Sequence, residues 1–100
     1  MAIQTKNHLV TEVGVSPLVK LAAIDNPRLS GMVIIKSGTP TYSLEYSLDG
    51  RNFLPLSNDL NSTTLSNDFT IVFPIHSIRL NVTAGIGEAE LIVRYDDGGF

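Results

Sequence analysis

The sequence predicts an all-β domain, built as an antiparallel β-sandwich or jelly roll of about seven to eight short strands. Three observations lead to this prediction. The periodic segments alternate apolar and polar side chains with a period of two, and turn residues separate them at intervals of roughly ten residues. The composition, 43% hydrophobic and 17% charged over 100 residues, is that of a globular chain with one core. We therefore expect residues 1–100 to form a single domain.

The N-terminal part carries the weakest periodic signal. Residues 7–13 read as a loose first strand, and residues 1–8 are a candidate terminal arm. Residues 17–24 fit either a strand or a short helix, because Pro17 suits a first helical position behind Ser16 as a cap. The neighbouring strand patterns favour β.

The segment "MVIIK" at residues 32–36 is apolar on both faces, behind a turn at residues 25–31. A strand of this kind is either covered on both sides within the fold or packs its outer face on a partner. Either Met32 and Ile34 or Val33 and Ile35 must point away from the core.

A hairpin follows at "TYSLEYSLDG" (residues 41–50) and "RNFLPL" (residues 51–56), since Asp49-Gly50 is a strong turn signal. Pro55 lacks an N–H and should place the returning strand at a sheet edge. One face of the first strand is expected to fill the core: Tyr42, Leu44, Tyr46 and Leu48.

The second half begins with a polar loop at residues 57–68 and continues with strands at 69–73, 76–83 and 88–95. Alternation turns these side chains inward: Phe69, Ile71, Phe73, Ile78, Leu80, Val82, Ala89, Leu91, Val93 and Tyr95. Ile92 is left on the outward face, where its neighbours two residues away are Glu90 and Arg94. Residues 96–100 are expected to be a flexible tail.

Residues with catalytic or metal-binding chemistry are sparse. Without cysteine, these 100 residues offer no disulfide, thiolate nucleophile or Cys-ligated zinc site. His8 and His76 share no metal-type spacing, and the turn aspartates suit local backbone capping. A calcium site joining Asp96 and Asp97 to Asp59 or Asp68 is conceivable, but the order of ligands in known calcium loops is missing. We therefore expect no enzymatic activity and no cofactor.

The "GIG" at residues 85–87 does not match a phosphate-binding loop, because a β-pattern rather than a helix follows it. It is expected to be a hairpin turn.

The charge pattern argues against two classes of partner. The net charge is −3, and no two Lys or Arg residues are adjacent, so neither nucleic acid nor an anionic membrane surface is expected to bind. The first ten residues contain no apolar run of signal-peptide length. We expect the protein to be made and kept in the cytoplasm unless it leaves inside a larger particle.

The outward apolar positions form the main candidate site. An apolar outer surface of this extent is typical of a subunit interface, and the candidate residues are Met32, Val33, Ile34, Ile35 and Ile92. The alternative is that loops or the N-terminal segment cover them.

Three segments resemble small virion proteins of tailed bacteriophages: "VTEVGVSPLVKL" (10–21), "IKSGTPTYSLEYSLD" (35–49) and "PIHSIRLNVTAGIGEAELIVRY" (74–95). They match a "G-x-S-P" opening, a "SGT-x-x-Y-x-x-x-Y-x-x-D" strand and a closing "IRLNVT-x-G-x-G" hairpin. The resemblance covers about half of the chain. It departs in the absence of tryptophan and in the ending "RYDDGGF".

The resemblance implies a β-rich structural component of a virion, most specifically a capsid decoration (cement) protein. The implied partners are further copies of the chain in a closed homo-oligomer, with a trimer favoured, and the major capsid protein or another virion protein. A neck or tail component is also compatible with it.

A second resemblance links "EYSLDGRNFLPL" (45–56) to the "YS-x-DG-x-x-F" hairpin of discoidin-type and other carbohydrate-recognising sandwiches. It implies a glycan site with Phe53 as stacking platform and the polar loop residues Asn58, Asp59 and Asn61 as ligands. This is the alternative functional hypothesis.

Overall fold

The computed structural model describes residues 3–21 and 28–96, and they form two antiparallel sheets packed face to face, which confirms the predicted all-β sandwich. The strands of the described residues are β1 Ile3–Val10, β2 Gly14–Val15, β3 Val19–Lys20, β4 Leu29–Gly38, β5 Thr41–Ser47, β6 Leu54–Pro55, β7 Asn67–Ile71, β8 Ser77–Ala84 and β9 Gly87–Asp96. A single 3₁₀ turn at Asn58–Leu60 interrupts them, and no described segment is a helix able to cross a membrane.

Sheet A has the strand order β1-β9-β4-β7, and sheet B the order β2-β8-β5-β6, with β3 also paired to β8. The core lies between the two sheets. Its fully buried large side chains are Leu21, Leu29, Val33, Tyr42, Leu44, Ile71, Ile78, Leu80, Val82, Leu91 and Val93. Each contributes about 1.5–3 kcal/mol relative to an exposed position, which makes this layer the main source of stability.

The alternation in the last two strands is confirmed. Ile78, Leu80 and Val82 of β8 are buried, and so are the four predicted inward residues of β9. In β7, Phe69 and Ile71 are buried, but Phe73 lies beyond the strand end and is exposed. The prediction for Phe73 was wrong because the period-two pattern holds only while the backbone stays extended.

A bent two-stranded ribbon joins the two sheets. β4 pairs with β9 from Leu29–Tyr95 to Gly38–Gly87, and β5 pairs with β8 from Thr41–Ala84 to Ser47–Ser77. Thr39 N–H donates to the Ile86 carbonyl at 2.9 Å across the bend. The antiparallel ladder therefore continues from one sheet into the other.

The predicted hairpin at residues 85–87 is wrong, because β8 and β9 lie in different sheets and do not pair. The turn is instead one side of the corner. Gly85 and Gly38 have positive φ of 85° and 66°. A Cβ on Gly38 would collide with the Ile86 carbonyl oxygen, so glycine permits this close approach of two backbones.

The two short strands that pair with β8 on its free side, β2 and β3, are separated by an interruption at Ser16-Pro17. The Ser16 hydroxyl accepts a hydrogen bond from Leu80 N–H at 2.9 Å, while Ser16 N–H donates to the Leu80 carbonyl at 2.8 Å. Leu21 N–H resumes the pairing by donating to the His76 carbonyl. Ser16 thus maintains the ladder where Pro17 has no N–H to give. The strand alternative is confirmed for Val19–Lys20, and residues 22–24 lie outside the described residues.

Several sequence predictions need correction. Residues 3–8, predicted as part of a terminal arm, belong to β1 and pair along its whole length with β9. The hairpin of β5 and β6 is confirmed and β6 is an edge strand, but the connection spans residues 48–53 rather than two residues. Leu48 is 69% exposed because β5 ends at Ser47. The predicted tail beyond Asp96 lies outside the described residues.

Candidate interaction surface

The outer face of sheet A brings together three of the five predicted interface residues. Met32 of β4 lies directly opposite Ile92 of β9. Ile34 follows two residues after Met32 and points to the same face, because side chains alternate along a strand. Met32 is exposed, and Ile34 and Ile92 are half-buried. These three side chains are called the apolar strip below.

The other two predicted residues face the core. Val33 has no exposed surface, and Ile35 packs against the core cluster. Both were wrong as interface candidates for the same reason: Leu29 and Val33 share one side of β4, and that side meets sheet B. Sequence alone left both assignments of the two faces open.

Charged and further apolar side chains surround the apolar strip. Lys36 and Glu90 form an ion pair at 3.4 Å beside it, and Leu9 of β1 is exposed opposite Glu90. A shallow depression of about 410 Å³ lies over Met32 and Ile92 of the strip, and Thr5, Arg94, Asp68 and their neighbours complete its lining. An apolar centre with a charged rim is the composition typical of protein–protein contact.

The alternative glycan platform is partly covered. The Arg79 guanidinium lies 3.9 Å from the centre of the Phe53 ring. Arg79 Nε also donates to Glu45 Oε1 at 2.8 Å, and Asn81 Nδ2 donates to Glu45 Oε2 at 3.4 Å. One face of the aromatic ring is thus already occupied by a cation held by a carboxylate.

The polar loop at residues 57–66 folds over the outer face of sheet B. Asn61 Oδ1 accepts from the Ser43 hydroxyl at 3.2 Å, and Ser62 N–H donates to the same hydroxyl oxygen at 2.9 Å. Ser43, on the polar side of the alternating pattern in β5, is consequently buried. Asn58 and Asp59 remain exposed at the rim, so the predicted ligand residues do not converge on one open site.

Tyr42 is the main anchor of this loop. Its backbone pairs with Thr63 in both directions at 2.9 Å, and its hydroxyl donates to the Leu65 carbonyl at 2.6 Å. Asn67 Nδ2 donates to the Tyr42 oxygen at 3.5 Å. Burial raises the pKa of Tyr42 above its ordinary value, and the Asn67 hydrogen bond lowers it by less. The loop is therefore a fixed part of the sandwich.

Asp49 organises the turn at residues 48–53. Its Oδ1 accepts from Asn52 N–H and Arg51 N–H, both at 2.8 Å, and from the Ser47 hydroxyl at 2.9 Å. Asn52 Nδ2 donates to Oδ2 at 2.6 Å. These donors, first of all the Asn52 N–H, hold the pKa of Asp49 well below its usual range. Asp49 thus serves as a turn-forming residue.

One cluster contains the residue types of a nucleophilic triad but does not form one; its members are Ser47, Asp49, His76 and Ser77. His76 Nδ1 lies 3.0 Å from the Ser77 hydroxyl, yet Ser77 is completely buried. The Asp49 oxygens are engaged by the turn, as described above. His8 lies on β1 in the other sheet. Among residues 3–21 and 28–96, no three His, Asp or Glu side chains form a group able to hold a metal ion.

Two solved structures share this fold. The SPBc2 prophage-derived protein YomS matches with a TM-score of 0.64 at 11% identity, over 95% of each chain. A chain of the Bacillus endospore appendages, which form a family of disulfide-linked pili, matches with a TM-score of 0.51 at 17% identity, over 93% of this chain and 87% of that one. No protein-family model and no curated protein sequence matches. The chain thus shares its sandwich with a prophage-derived protein and with a pilus protein.

Proposed function

We propose that this chain is a non-enzymatic structural protein of a tailed-bacteriophage particle, most specifically a capsid decoration (cement) protein located in the virion. The motif resemblance to small virion proteins and the fold shared with a prophage-derived protein support this proposal. We interpret the strand order β1-β9-β4-β7 opposite β2-β8-β5-β6 as a jelly roll with β2 and β3 serving as one interrupted strand.

The observation that carries the proposal is the apolar strip. Met32, Ile34 and Ile92 lie on the outer face of sheet A, whereas the polar loop at residues 57–66 contacts Ser43 of sheet B through Asn61 and Ser62. An uncovered apolar centre with a charged rim is unusual for a solitary monomer and supports docking on a neighbouring protein. The proposed occupant is the major capsid protein at the surface of the assembled head.

The resembling motifs support the fold rather than the contact. "GVSP" forms the interruption at Ser16-Pro17, and the segments "SGT" and "TAGIG" face one another across the corner of the ribbon. The segments "SGT" and "TAGIG" allow the chain to bend from one sheet to the other. The apolar strip lies outside all three of these corner and interruption elements, so the proposed contact rests on the surface itself.

The test is binding of the purified protein to heads assembled without it, measured by co-sedimentation. Wild type should bind in a saturable way. Ile92→Asp should bind at least about tenfold more weakly, because docking would bury an unpaired carboxylate. Ile86→Asp is the matched control, since Ile86 is 88% exposed at the corner, away from the apolar strip.

Two results would contradict the proposal. If wild type binds neither heads nor tails, the virion role is wrong. If Ile92→Asp binds heads as well as Ile86→Asp does, the apolar strip is not the contact. Binding to tails alone would replace the decoration role by the neck or tail alternative.

A further inference from the structure

Sheet A ends on both sides in strands with a free edge within the described residues. β1 pairs only with β9, and β7 pairs only with β4. β1 is eight residues long, so it presents a long row of backbone N–H and C=O groups. Edge strands of this length either are protected or pair with another chain.

The edge at β1 is basic. A cleft of about 330 Å³ opens there between the sheets and is lined by Lys6, His8, Leu18, Val19, Lys20 and Tyr95. Lys6 and Lys20 are exposed, and neither forms an ion pair with a described residue. No carboxylate belongs to this lining. We call this the basic edge.

The edge at β7 is acidic. A cleft of about 370 Å³ on that side is lined by Asp59, Asp68, Asn67 and apolar neighbours that include Leu56 and Phe73. Asp59 and Asp68 are exposed, and neither forms an ion pair with a described residue. No cation belongs to this lining. We call this the acidic edge.

The two edges lie on opposite sides of the molecule. They are the outer strands of the four-stranded sheet A, and three inter-strand spacings place β1 and β7 about 14 Å apart. A two-fold contact through either edge would bring like charges together, whereas a head-to-tail contact brings opposite charges together. β1 runs antiparallel to β7 in the order of sheet A, so continuing the sheet from one copy to the next pairs β7 with the neighbouring β1 in antiparallel orientation.

We propose that copies of this chain associate head to tail, with the basic edge of one copy against the acidic edge of the next and sheet A continuing between them. This arrangement would provide the contact between copies in the proposed structural protein. It rests on the proposed function only for its biological purpose. It leaves the apolar strip free for the head surface. A heterologous contact of this kind closes into a ring when its rotation allows, and a three-membered ring would correspond to the trimer that the virion-protein resemblance implies.

Lysine on an edge strand ordinarily discourages pairing with other strands. Lys6 prevents β1 from pairing with another β1, because that contact would oppose two ammonium groups. It does not oppose an edge that carries carboxylates. The charges thus select one partner edge and exclude the like one.

The test is a charge-reversal exchange followed by sedimentation velocity from micromolar to millimolar protein. Lys6→Glu/Lys20→Glu makes both edges acidic, and Asp59→Lys/Asp68→Lys makes both edges basic. Each double variant alone should associate at least about tenfold more weakly than wild type. An equimolar mixture should regain association, because a head-to-tail contact between one copy of each variant again joins opposite charges. Strict alternation is possible in open chains and even-membered rings, so the mixture should form these rather than a closed three-membered ring. Circular dichroism verifies that each variant keeps its β-sheet signature.

A matched control and a salt series sharpen the result. Arg51→Glu reverses one exposed charge in the turn at residues 48–53 and should associate as wild type, in contrast to Lys20→Glu. Raising the salt concentration from 0.05 to about 0.5 M should weaken wild-type association, since exposed charges are then screened.

A wild type that stays monomeric at millimolar concentration would overturn the inference, as would a mixture that fails to regain association or variants that associate like wild type. Ile92→Asp separates this inference from the proposed function. It should keep head-to-tail association and lose head binding, so failure of either contact is seen in its own assay.

Discussion

Tyr42→Phe removes one hydroxyl and leaves the buried ring in place. The hydroxyl donates to the Leu65 carbonyl at 2.6 Å, and that carbonyl also accepts from Asn67 Nδ2 at 3.3 Å. The substitution also removes the long 3.5 Å hydrogen bond from Asn67 Nδ2, which keeps the Asp59 and Leu65 carbonyls as acceptors. Since Leu65 likewise keeps one donor, the main loss is the 2.6 Å hydrogen bond, about 1 kcal/mol in the free energy of unfolding. For a domain of this length, 1 kcal/mol corresponds to a decrease in Tm of about 4–8 °C.

The assay is urea unfolding followed by circular dichroism, with the m-value expected to stay unchanged. Tyr46→Phe is the matched control. The Tyr46 ring meets Phe73 edge to face at 6.3 Å, and its hydroxyl has no hydrogen bond to the described residues. The control should therefore change stability by less than about 0.5 kcal/mol.

The pH dependence gives a second, independent readout of the Tyr42 effect. Because burial raises the pKa of Tyr42 above its ordinary value of 10.0, the folded state favours the neutral phenol. Its contribution to stability is complete below pH 10 and is lost as the pH rises through the raised pKa. The stability difference between wild type and Tyr42→Phe should therefore shrink above pH 10. Equal stability at pH 7, or a difference that stays constant to pH 11, would refute the anchoring role.

Two further predictions concern the turn and the corner. The donors of the turn hold the pKa of Asp49 below its usual value of 3.8. Wild type should therefore lose its stability advantage over Asp49→Asn only as the pH falls below about 4. Urea unfolding between pH 2 and 6 measures this, and an advantage independent of pH would contradict it. Gly38→Ala should lower the free energy of unfolding by at least about 1–2 kcal/mol because of the positive φ at residue 38 alone. The loss should be larger because the new Cβ meets the Ile86 carbonyl. A thermal melt like that of wild type would show that the corner is not constrained.

Local alternation predicted the inward faces well because each side chain's direction depends only on its own strand. Ile78, Leu80 and Val82 are buried as expected. Strand β1 was predicted only in part: residues 7–10 fall within the predicted first strand at 7–13, and residues 3–6 were missed. Its inward positions Lys6 and His8 line the open edge rather than the core, so the segment carries little apolar periodicity.

Pairing between distant strands could not be predicted from local pattern. The turn at Gly85 and Gly87 has the composition of a hairpin, and only the position of β4 and β5 shows that it is a corner. Likewise, the faces of "MVIIK" were ambiguous, because both are apolar and only packing against sheet B selects Val33 as the inward residue. The apolar strip was predictable in composition, whereas the complementary edges depend on loops and strands far apart in sequence.

The bent ribbon has a consequence for the order in which the chain can fold. Its innermost pair, Ser47 and Ser77, is 30 residues apart, and its outermost pair, Leu29 and Tyr95, is 66 residues apart. Closing the outer pair directly costs about 0.7 kcal/mol more loop entropy than closing the inner pair. If the ladder instead grows outward from β5 and β8, each new pair adds only the few residues next to those already paired. Because the ladder passes through the corner, this growth can carry β4 and β9 into register without a separate search for sheet A.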